Sequence, residues 1–596
     1  MAGRAQGGPT VTGADAEIFR VDLRGIVGIL SHHLYSSPRV YLRELLQNAR
    51  DAVVAAQEFS PSPTAAIEIL VDTASATLTV RDHGIGLTER EMREVLATIG
   101  ASSKREHIEA TRRRFLGQFG IGLLSCFLIA DRIEVRSRSA RTADAPTLIW
   151  QGHSDGSFTI APAAEPLDSS GTEVRVQARP DDRDWVHADR VRLLARRFAE
   201  LLNVPITIRS DGAPAELVSC RTPPWRLDPT EAEAWCRQEF GFYPLAVLPI
   251  GIAVAGVSGV AYIADSPGRV GNRRGDSVWS QGMFVAEDNT QLAPDWAYFV
   301  RLAIETGDLP LTASRESIQE ASALPAVREQ VGQQIRSGIE AFALRDPEGF
   351  AQFMQIHVKG LLAMAVSDHG MLDLVVRHLL WETNQGRMTL ADALHSYSGV
   401  RYAVTESDFD TFRAVLSAQG ELLINGSYVY GQEILSMLSR ERGRTGRLGR
   451  FDPDVFLAQL PEPASNEMTA VLRRRATPIF DELGVELVLR AFEPTSASVL
   501  YLKGQADALA DTDPDPWAEF MDDQGEAPQR PRTVLNMNSD IAHTLGSIRD
   551  PDLLGDALVA VHTIGMLTAR EHLDEDQSRR LDQSLRALVT AVAHRT

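Results

Sequence analysis

The sequence predicts an α+β chain of several domains that opens on a unit of helices packed against a sheet. Three observations carry this reading. The 596 residues correspond to roughly three to five domains at about 100–200 residues each. Residues 41–57 repeat apolar side chains at helical spacing, with Leu42, Leu45, Leu46, Ala49, Ala52 and Val53 on one broad face. Residues 66–82 then switch to a period of two, with Ile67, Ile69 and Val71 followed by Leu78 and Val80, the pattern of a hairpin.

The remaining elements follow in order. Residues 15–58 read as two helices, closed by a Pro/Ser turn at 60–63. Thr88 with Glu91 three residues later forms a capping box, which predicts a helix from there to about Thr98. A glycine-rich segment precedes the apolar stretch 123–130, and strands are expected near 133–138, 147–151, 157–160 and 172–177. The first domain is expected to end near 186. Residues 187–465 read as a two-part α/β middle domain, 187–345 and 346–465. The second part has helices over 347–382 and short strands at 401–405 and 421–424. Residues 466–596 read as a small α+β domain with an acidic, proline-containing stretch at 511–532 and helices at the end.

Composition narrows the function. The apolar share is 44%, the charged share 23% and the formal net charge −20. That balance suits a soluble globular protein and argues against a nucleic-acid coat, which needs a basic face. Lysine occurs only at Lys104, Lys359 and Lys503, so a phosphate-gripping loop lysine has almost no candidates. Three scattered cysteines, Cys126, Cys220 and Cys236, fit a reducing compartment rather than a disulfide framework. The first ten residues lack the apolar core of a signal peptide, so a cytoplasmic location is expected. The uncharged stretch 244–264 holds Pro244, Pro249 and three glycines in short Val/Ile/Ala runs, and buried strands are expected there rather than a membrane span.

Four short segments carry chemistry. On the helix 41–57, Glu44, Asn48 and Asp51 share the polar side, which taken alone is a solvated face. Asp82-His83-Gly84-Ile85-Gly86 ends a strand with a carboxylate and two glycines, so backbone can approach a flat ligand while the Asp accepts from an exocyclic amine; taken alone it is a common turn. Gly117-Gln118-Phe119-Gly120-Ile121-Gly122 runs into an apolar segment, where exposed amides at a helix start suit phosphate. The pattern resembles a dinucleotide fingerprint, but no strand immediately precedes it. Gly171-Thr172 enters a strand and places a hydroxyl that could second the Asp at a base.

In this order and spacing the four segments resemble the Bergerat-type (GHKL) ATP fold of type II topoisomerases, mismatch-repair ATPases, histidine kinases and heat-shock protein 90. The wording resembles the heat-shock protein 90 family, bacterial form: YLRELLQNARDA (41–52), VRDHGIGLTEREM (80–92), LATIGASSK (96–104) and FLGQFGIGLLSCFLIAD (115–131). FVRLAIETGDLPLTASRESIQE (299–320) resembles the family's middle-domain catalytic loop. There is no long charged linker near 180–190, and the chain ends Ala-His-Arg-Thr rather than in an acidic Glu-Glu-Val-Asp tail, both as in the bacterial form.

The resemblance implies an ATP-dependent chaperone with an N-terminal ATPase domain (1–186), a two-part middle domain and a C-terminal dimerisation domain. It implies that Glu44 orients and polarises the attacking water and that Asn48 holds Mg²⁺. Asp82 and Thr172 would read adenine with Gly86 allowing close approach, Asp51 would belong to the pocket, and Gly117 to Gly122 would wrap the phosphates within a lid at 98–122. Arg315, with Gln319 beside it, would stabilise γ-phosphate charge. The implied partners are a second copy, through the helices at 551–593, and unfolded client proteins, through Trp517, Phe520 and Met521; neither nucleic acid nor membrane is expected. Arg50, His83 and the Ser102-Ser103-Lys104 wording depart from the family pattern and bear on affinity or lid kinetics. A DNA-transacting ATPase of the same superfamily is opposed by the net charge and the 299–320 block. A histidine kinase is opposed by the short segment ahead of the fold, and a non-hydrolysing scaffold by the presence of Glu44, Asn48 and Arg315.

Overall fold

The computed structural model describes residues 37–59, 66–96, 122–142, 144–271, 273–307, 309–312, 314–320, 323–441, 447–504 and 530–594. The chain forms two compact units, Met1–Phe353 and Met354–Thr596. The lid segment from 97 to 121, with Gly117, Gln118, Phe119, Gly120, Ile121 and Ser102-Ser103-Lys104, lies outside the described residues, as do Trp517, Phe520 and Met521.

In the first unit the amphipathic run becomes helix α1 (Val40–Phe59). The alternating run becomes the antiparallel hairpin β1 (Ile67–Asp72) and β2 (Thr77–Asp82). The capping box forms: Thr88 Oγ1 accepts from the Glu91 amide and the Glu91 carboxylate accepts from the Thr88 amide. The helix it starts is one turn of α-helix (Glu89–Glu91) continued as a π-turn (Met92–Leu96). The apolar stretch after the glycines is a 3₁₀ helix, Gly122–Leu128. Strands β3 (Arg132–Arg138), β4 (Leu148–His153), β5 (Phe158–Pro162) and β6 (Gly171–Gln177) follow where alternation places them.

The first sheet does not stop at 186. After α2 (Ala188–Ala199), strand β7 (Ile206–Ser210) pairs in parallel with β1, and β8 (Glu216–Leu217) extends the edge. The eight strands run β5-β4-β3-β6-β2-β1-β7-β8. The physical reason is the open edge of β1: a bare strand edge is stabilised by a partner, and the alternating Ile206 and Ile208, both buried, meet Ile67 and Ile69 across it.

Helix α3 (Pro229–Phe240) leads to a second sheet: β9 (Ala246–Ile252), β10 (Val257–Ile263), β11 (Asp276–Ser280), β12 (Met283–Asn289) and β13 (Val300–Thr306), ordered β12-β11-β13-β10-β9. The uncharged stretch 244–264 thus forms two antiparallel strands, β10 almost wholly buried and the edge strand β9 buried on one face only, and no helix among the described residues is long and apolar enough to cross a membrane. One apolar core runs from Val40 to Ala303 and joins both sheets. Its densest part is aromatic: Trp279 is fully buried and packs edge-on against Trp225, Trp235 and Phe284 at 5.5–6.2 Å between ring centroids. The unit closes with α4 (Leu324–Arg345).

The second unit carries an α/β sheet of five strands, with α5 (His369–His378) ending ahead of strand β14 (Leu380–Thr383), so the helical run expected to 382 stops at 378. Its parallel strands β15 (Val400–Ala403) and β16 (Leu422–Asn425) fall at the short strands expected at 401–405 and 421–424. A three-stranded sheet over 486–536 shares an apolar core with it. Helices α6 (Pro551–Thr568) and α7 (Glu575–Ala593) end the chain. Of their apolar residues, Leu554, Leu558 and Val561 fill this unit's own core, whereas Ile564, Leu567, Leu585, Val589 and Val592 are exposed.

The aromatic cluster sets a stability test. Trp279→Ala empties one of the two largest fully buried side chains of the first unit's core, and about 3–5 kcal/mol of stability should be lost. Urea unfolding followed by fluorescence reads the change; a midpoint within error of the wild type would show that this core does not hold the unit together.

Candidate functional site

One end of the site is built by strand register. In the antiparallel pairs of the first sheet, Asp82 lies opposite Thr172, and Thr172 lies opposite Ser137. Three polar residues therefore sit side by side on adjacent strands. Asp82 Oδ1 accepts from the Gly84 amide at 2.8 Å and the Thr172 amide at 3.2 Å. Thr172 Oγ1 lies 2.9 Å from Ser137 Oγ, and Ser137 Oγ in turn accepts from the Leu87 amide at 2.8 Å. Ser137 is a residue that sequence reasoning missed; its only signal is its register opposite Thr172. Burial pushes the Asp82 carboxyl up to about 7, against the pull of its two amide donors.

Two glycines make this geometry possible. Gly86 has φ +61°, and a Cβ there would lie 2.0 Å from the carbonyl oxygen of Arg138. Gly171 has φ +139°, and its Cβ would lie 2.1 Å from the carbonyl oxygen of Asp82. Neither position admits a side chain, so the loop after β2 and the start of β6 close tightly around the carboxylate. His83, a departure from the family pattern, turns its ring toward the carbonyl of Ala66 (Nδ1 to O 3.2 Å).

The other end is built on α1. Glu44 is 3% exposed, although a helical wheel places it on the polar side. Its burial is caused by a loop far along the chain. Residues 310–319 form a hairpin: the Thr312 amide donates to Ser317 O at 3.0 Å, Leu311 bridges Ile318, and the Gln319 amide donates to Pro310 O at 2.8 Å. At its tip Arg315 adopts φ +55°, a left-handed conformation that costs a non-glycine residue about 1 kcal/mol or more. This aims the side chain at α1. Arg315 Nη1 donates to Glu44 Oε2 at 3.0 Å and to Gln47 Oε1. Arg43 ties the loop down from the same helix, donating to Ser314 O at 2.5 Å and Arg315 O at 3.3 Å, and its Nη2 lies 3.4 Å from Glu44 Oε1. Arg43 and Gln47 were not singled out from the sequence, because both read as ordinary polar residues of an amphipathic helix.

Gly122 reaches the same carboxylate: a Cβ there would lie 2.5 Å from Glu44 Oε2. Asn48, one turn after Glu44, is exposed. Asp51 is half-buried and ion-paired with Arg50 at 2.9 Å, so the unusual arginine is held against a pocket residue. Gln319 is exposed, and its side chain enters none of the hydrogen bonds of this cluster. Among the described residues no group of three or more His, Cys, Asp or Glu side chains could hold a metal ion. Asn48 offers an exposed side-chain oxygen, the kind of ligand that a hard cation takes.

Two family models match the chain. One, described as histidine kinase-, DNA gyrase B- and HSP90-like ATPase, covers residues 35–176. The other, Hsp90 protein, covers residues 277–397 and so includes the hairpin that carries Arg315. Among curated relatives, the chaperone protein HtpG of Nitratidesulfovibrio vulgaris is 26% identical over 389 residues, 60% of this chain and 60% of that protein. The chaperone protein HtpG of Shewanella halifaxensis is 28% identical over 381 residues, 56% of this chain and 59% of that protein. The mitochondrial heat shock protein 75 kDa of Rattus norvegicus is 27% identical over 361 residues, 56% and 50%. The chain thus spans about half to three-fifths of the length of these relatives. The two matched segments hold the two halves of the site, Asp82 with Glu44 in one and Arg315 in the other, so the likeness to the heat-shock protein 90 family extends over both.

Proposed function

We propose that the chain is an ATP-dependent molecular chaperone that hydrolyses ATP to ADP and phosphate and uses the cycle to assist client proteins in the cytoplasm. The observation that carries this reading is the buried Glu44 carboxylate with Arg315 delivered to it across 271 residues of sequence. A carboxylate that faces water needs no such partner; one placed to take a proton from a confined water needs to be dry and oriented.

On this reading 1–186 supplies the base-reading and water ends, 187–465 supplies the arginine, and 466–596 supplies the dimer contact. Adenine docks against Asp82, whose ionised carboxylate accepts from the exocyclic amine while Thr172 and Ser137 complete the polar edge. The Gly117 to Gly122 segment wraps the phosphates. Mg²⁺, held by Asn48, would neutralise phosphate charge when bound. Glu44 takes a proton from the attacking water as the new P–O bond forms and the bond from the γ-phosphorus to the bridging oxygen breaks, and ADP leaves with that oxygen's electron pair. Arg315 stabilises the charge that builds on the γ-phosphoryl oxygens, with Gln319 at the edge of the loop. The exposed Ile564, Leu567, Leu585, Val589 and Val592 form the contact with a second copy, and Trp517, Phe520 and Met521 meet clients.

Three measurements test the reading. Glu44→Gln should bind ATP and lose turnover by about 10²–10⁴-fold, and Arg315→Ala should lose on the order of 10³-fold in kcat with ATP affinity within a few-fold. Calorimetry with single-turnover kinetics separates the two quantities; a loss of affinity that matches the loss of rate would remove both residues from the chemistry.

Asp82→Asn keeps an oxygen for the amides of Gly84 and Thr172 but turns an amide N–H₂ toward the adenine amine, so ATP binding should fail. The same variant has a pH signature without nucleotide. The carboxyl binds its proton more tightly folded (about 7) than unfolded (near 3.8). Between those values the folded state holds the extra proton, and wild-type stability falls as pH rises. Asp82→Asn should therefore raise Tm at pH 8 by about 2–4 °C and leave it unchanged at pH 4. Equal Tm differences at both pH values would show that Asp82 is not a buried acid.

Leu585→Glu with Val589→Glu, both on the exposed face of α7, should convert a dimer to a monomer in sedimentation while thermal unfolding is preserved. Persistence of the dimer would place its contact elsewhere.

A further inference from the structure

We propose that Gln47 is the positioning residue for Arg315: it holds the guanidinium at the site in a set orientation, so that the arginine acts on phosphate without having to be found and aligned at each turnover. The proposal rests on the ATPase reading above and adds to it a residue that reading does not use.

Gln47 is 1% exposed, the most deeply buried polar side chain of α1. It lies three residues after Glu44, so both side chains project from the same stretch of helix toward the loop at 310–319. Its Oε1 accepts from Arg315 Nη1, the same nitrogen that donates to Glu44 Oε2 at 3.0 Å. One donor nitrogen is thus shared between a charged and a neutral acceptor. The Gln47 Nε2 is buried and has no hydrogen-bond partner among the described residues. Burying an amide nitrogen without a partner is unfavourable, so packing alone does not account for an amide here. The orientation of the amide is set by the arginine, because turning it over would face N–H₂ against a guanidinium.

A neutral acceptor has a specific use in this place. A carboxylate at residue 47 would compete with phosphate for the arginine and stand beside Glu44 as a like charge. An apolar residue would remove the Oε1 acceptor from Arg315 Nη1, and the Glu44 contact of that same nitrogen must be given up when Glu44 turns to its water. The amide oxygen of Gln47 keeps one Nη1 bond in place through that exchange. Its bond to a charged donor is the kind whose loss costs about ten- to a hundredfold in an equilibrium or rate. The free Nε2 donor is available to an oxygen that enters with nucleotide.

The test uses the full chain. Gln47→Met removes the acceptor at nearly constant volume. Reaction of Arg315 with phenylglyoxal, read by peptide mass spectrometry without nucleotide, should speed up at least threefold over wild type, and kcat for ATP should fall about tenfold with KM within twofold. Gln47→Glu, which restores an acceptor of the same length, should return Arg315 to wild-type protection. If Gln47→Met loses its thermal transition, Gln47→Asn, which cannot reach Arg315, replaces it with the same expectations. Unchanged labelling of Arg315, or a parallel change in kcat and KM, would overturn the proposal. Faster labelling in a chain whose wild type shows no ATP turnover would leave the Gln47 contact standing and remove the ATPase reading instead.

Discussion

Two opposite charges, Glu44 and Arg315, are kept out of water together, and much of the first unit is arranged so that they can be. Either one alone in that place would carry a desolvation cost of several kcal/mol. The pair is tolerated because each has further partners: Arg43 at the carboxylate, Gln47 at the guanidinium. Holding the pair requires α1 to be rigid, the loop at 310–319 to be a closed hairpin, and Arg315 to accept a backbone conformation that it would not choose by itself. It also requires the two sheets of the first unit to share a core, since the two charges come from opposite ends of it.

The two ends of the site solve opposite electrostatic problems. At Glu44 a carboxylate is balanced by an arginine. At Asp82 the compensation among the described residues is two backbone amides on one oxygen, and the proton is held up to about 7. The first arrangement suits a group that must be charged and oriented. The second suits a group that completes its hydrogen bonding only when a flat polar ligand arrives. The second is built from a turn, which sets Asp82, Gly84 and Gly86 locally, and from register between neighbouring strands, which brings in Thr172 from 90 positions away. The first needs residues 271 positions apart.

That difference explains what was legible beforehand. The hairpin, the capping box, the strands of 132–177 and the two strands of 244–264 follow from alternation and turn chemistry, which act over a few residues. Asp82 and Thr172 could be read from the residues themselves as well as from the family likeness. Arg315 could be read only from the likeness, since an arginine on a loop has no periodicity to betray its target. Gln47 and Arg43 escaped because a helical wheel describes an isolated helix, and the loop that buries their face is encoded far away. The continuation of the first sheet through β7 escaped for a related reason: parallel pairing across an intervening helix leaves no local mark.

The parallel pairing of β7 with β1 also bears on how such a chain can be divided and recombined. A segment cut at 186 would leave β1 with a bare edge of amide and carbonyl groups and would strand Ile206 and Ile208 on the other piece, where only the two-residue β8 pairs with their strand. An exchange of modules between related genes would succeed only where the breakpoint falls after residue 217, beyond β8. The inheritable unit of this protein's first sheet is accordingly longer than the stretch that holds its nucleotide-pocket motifs.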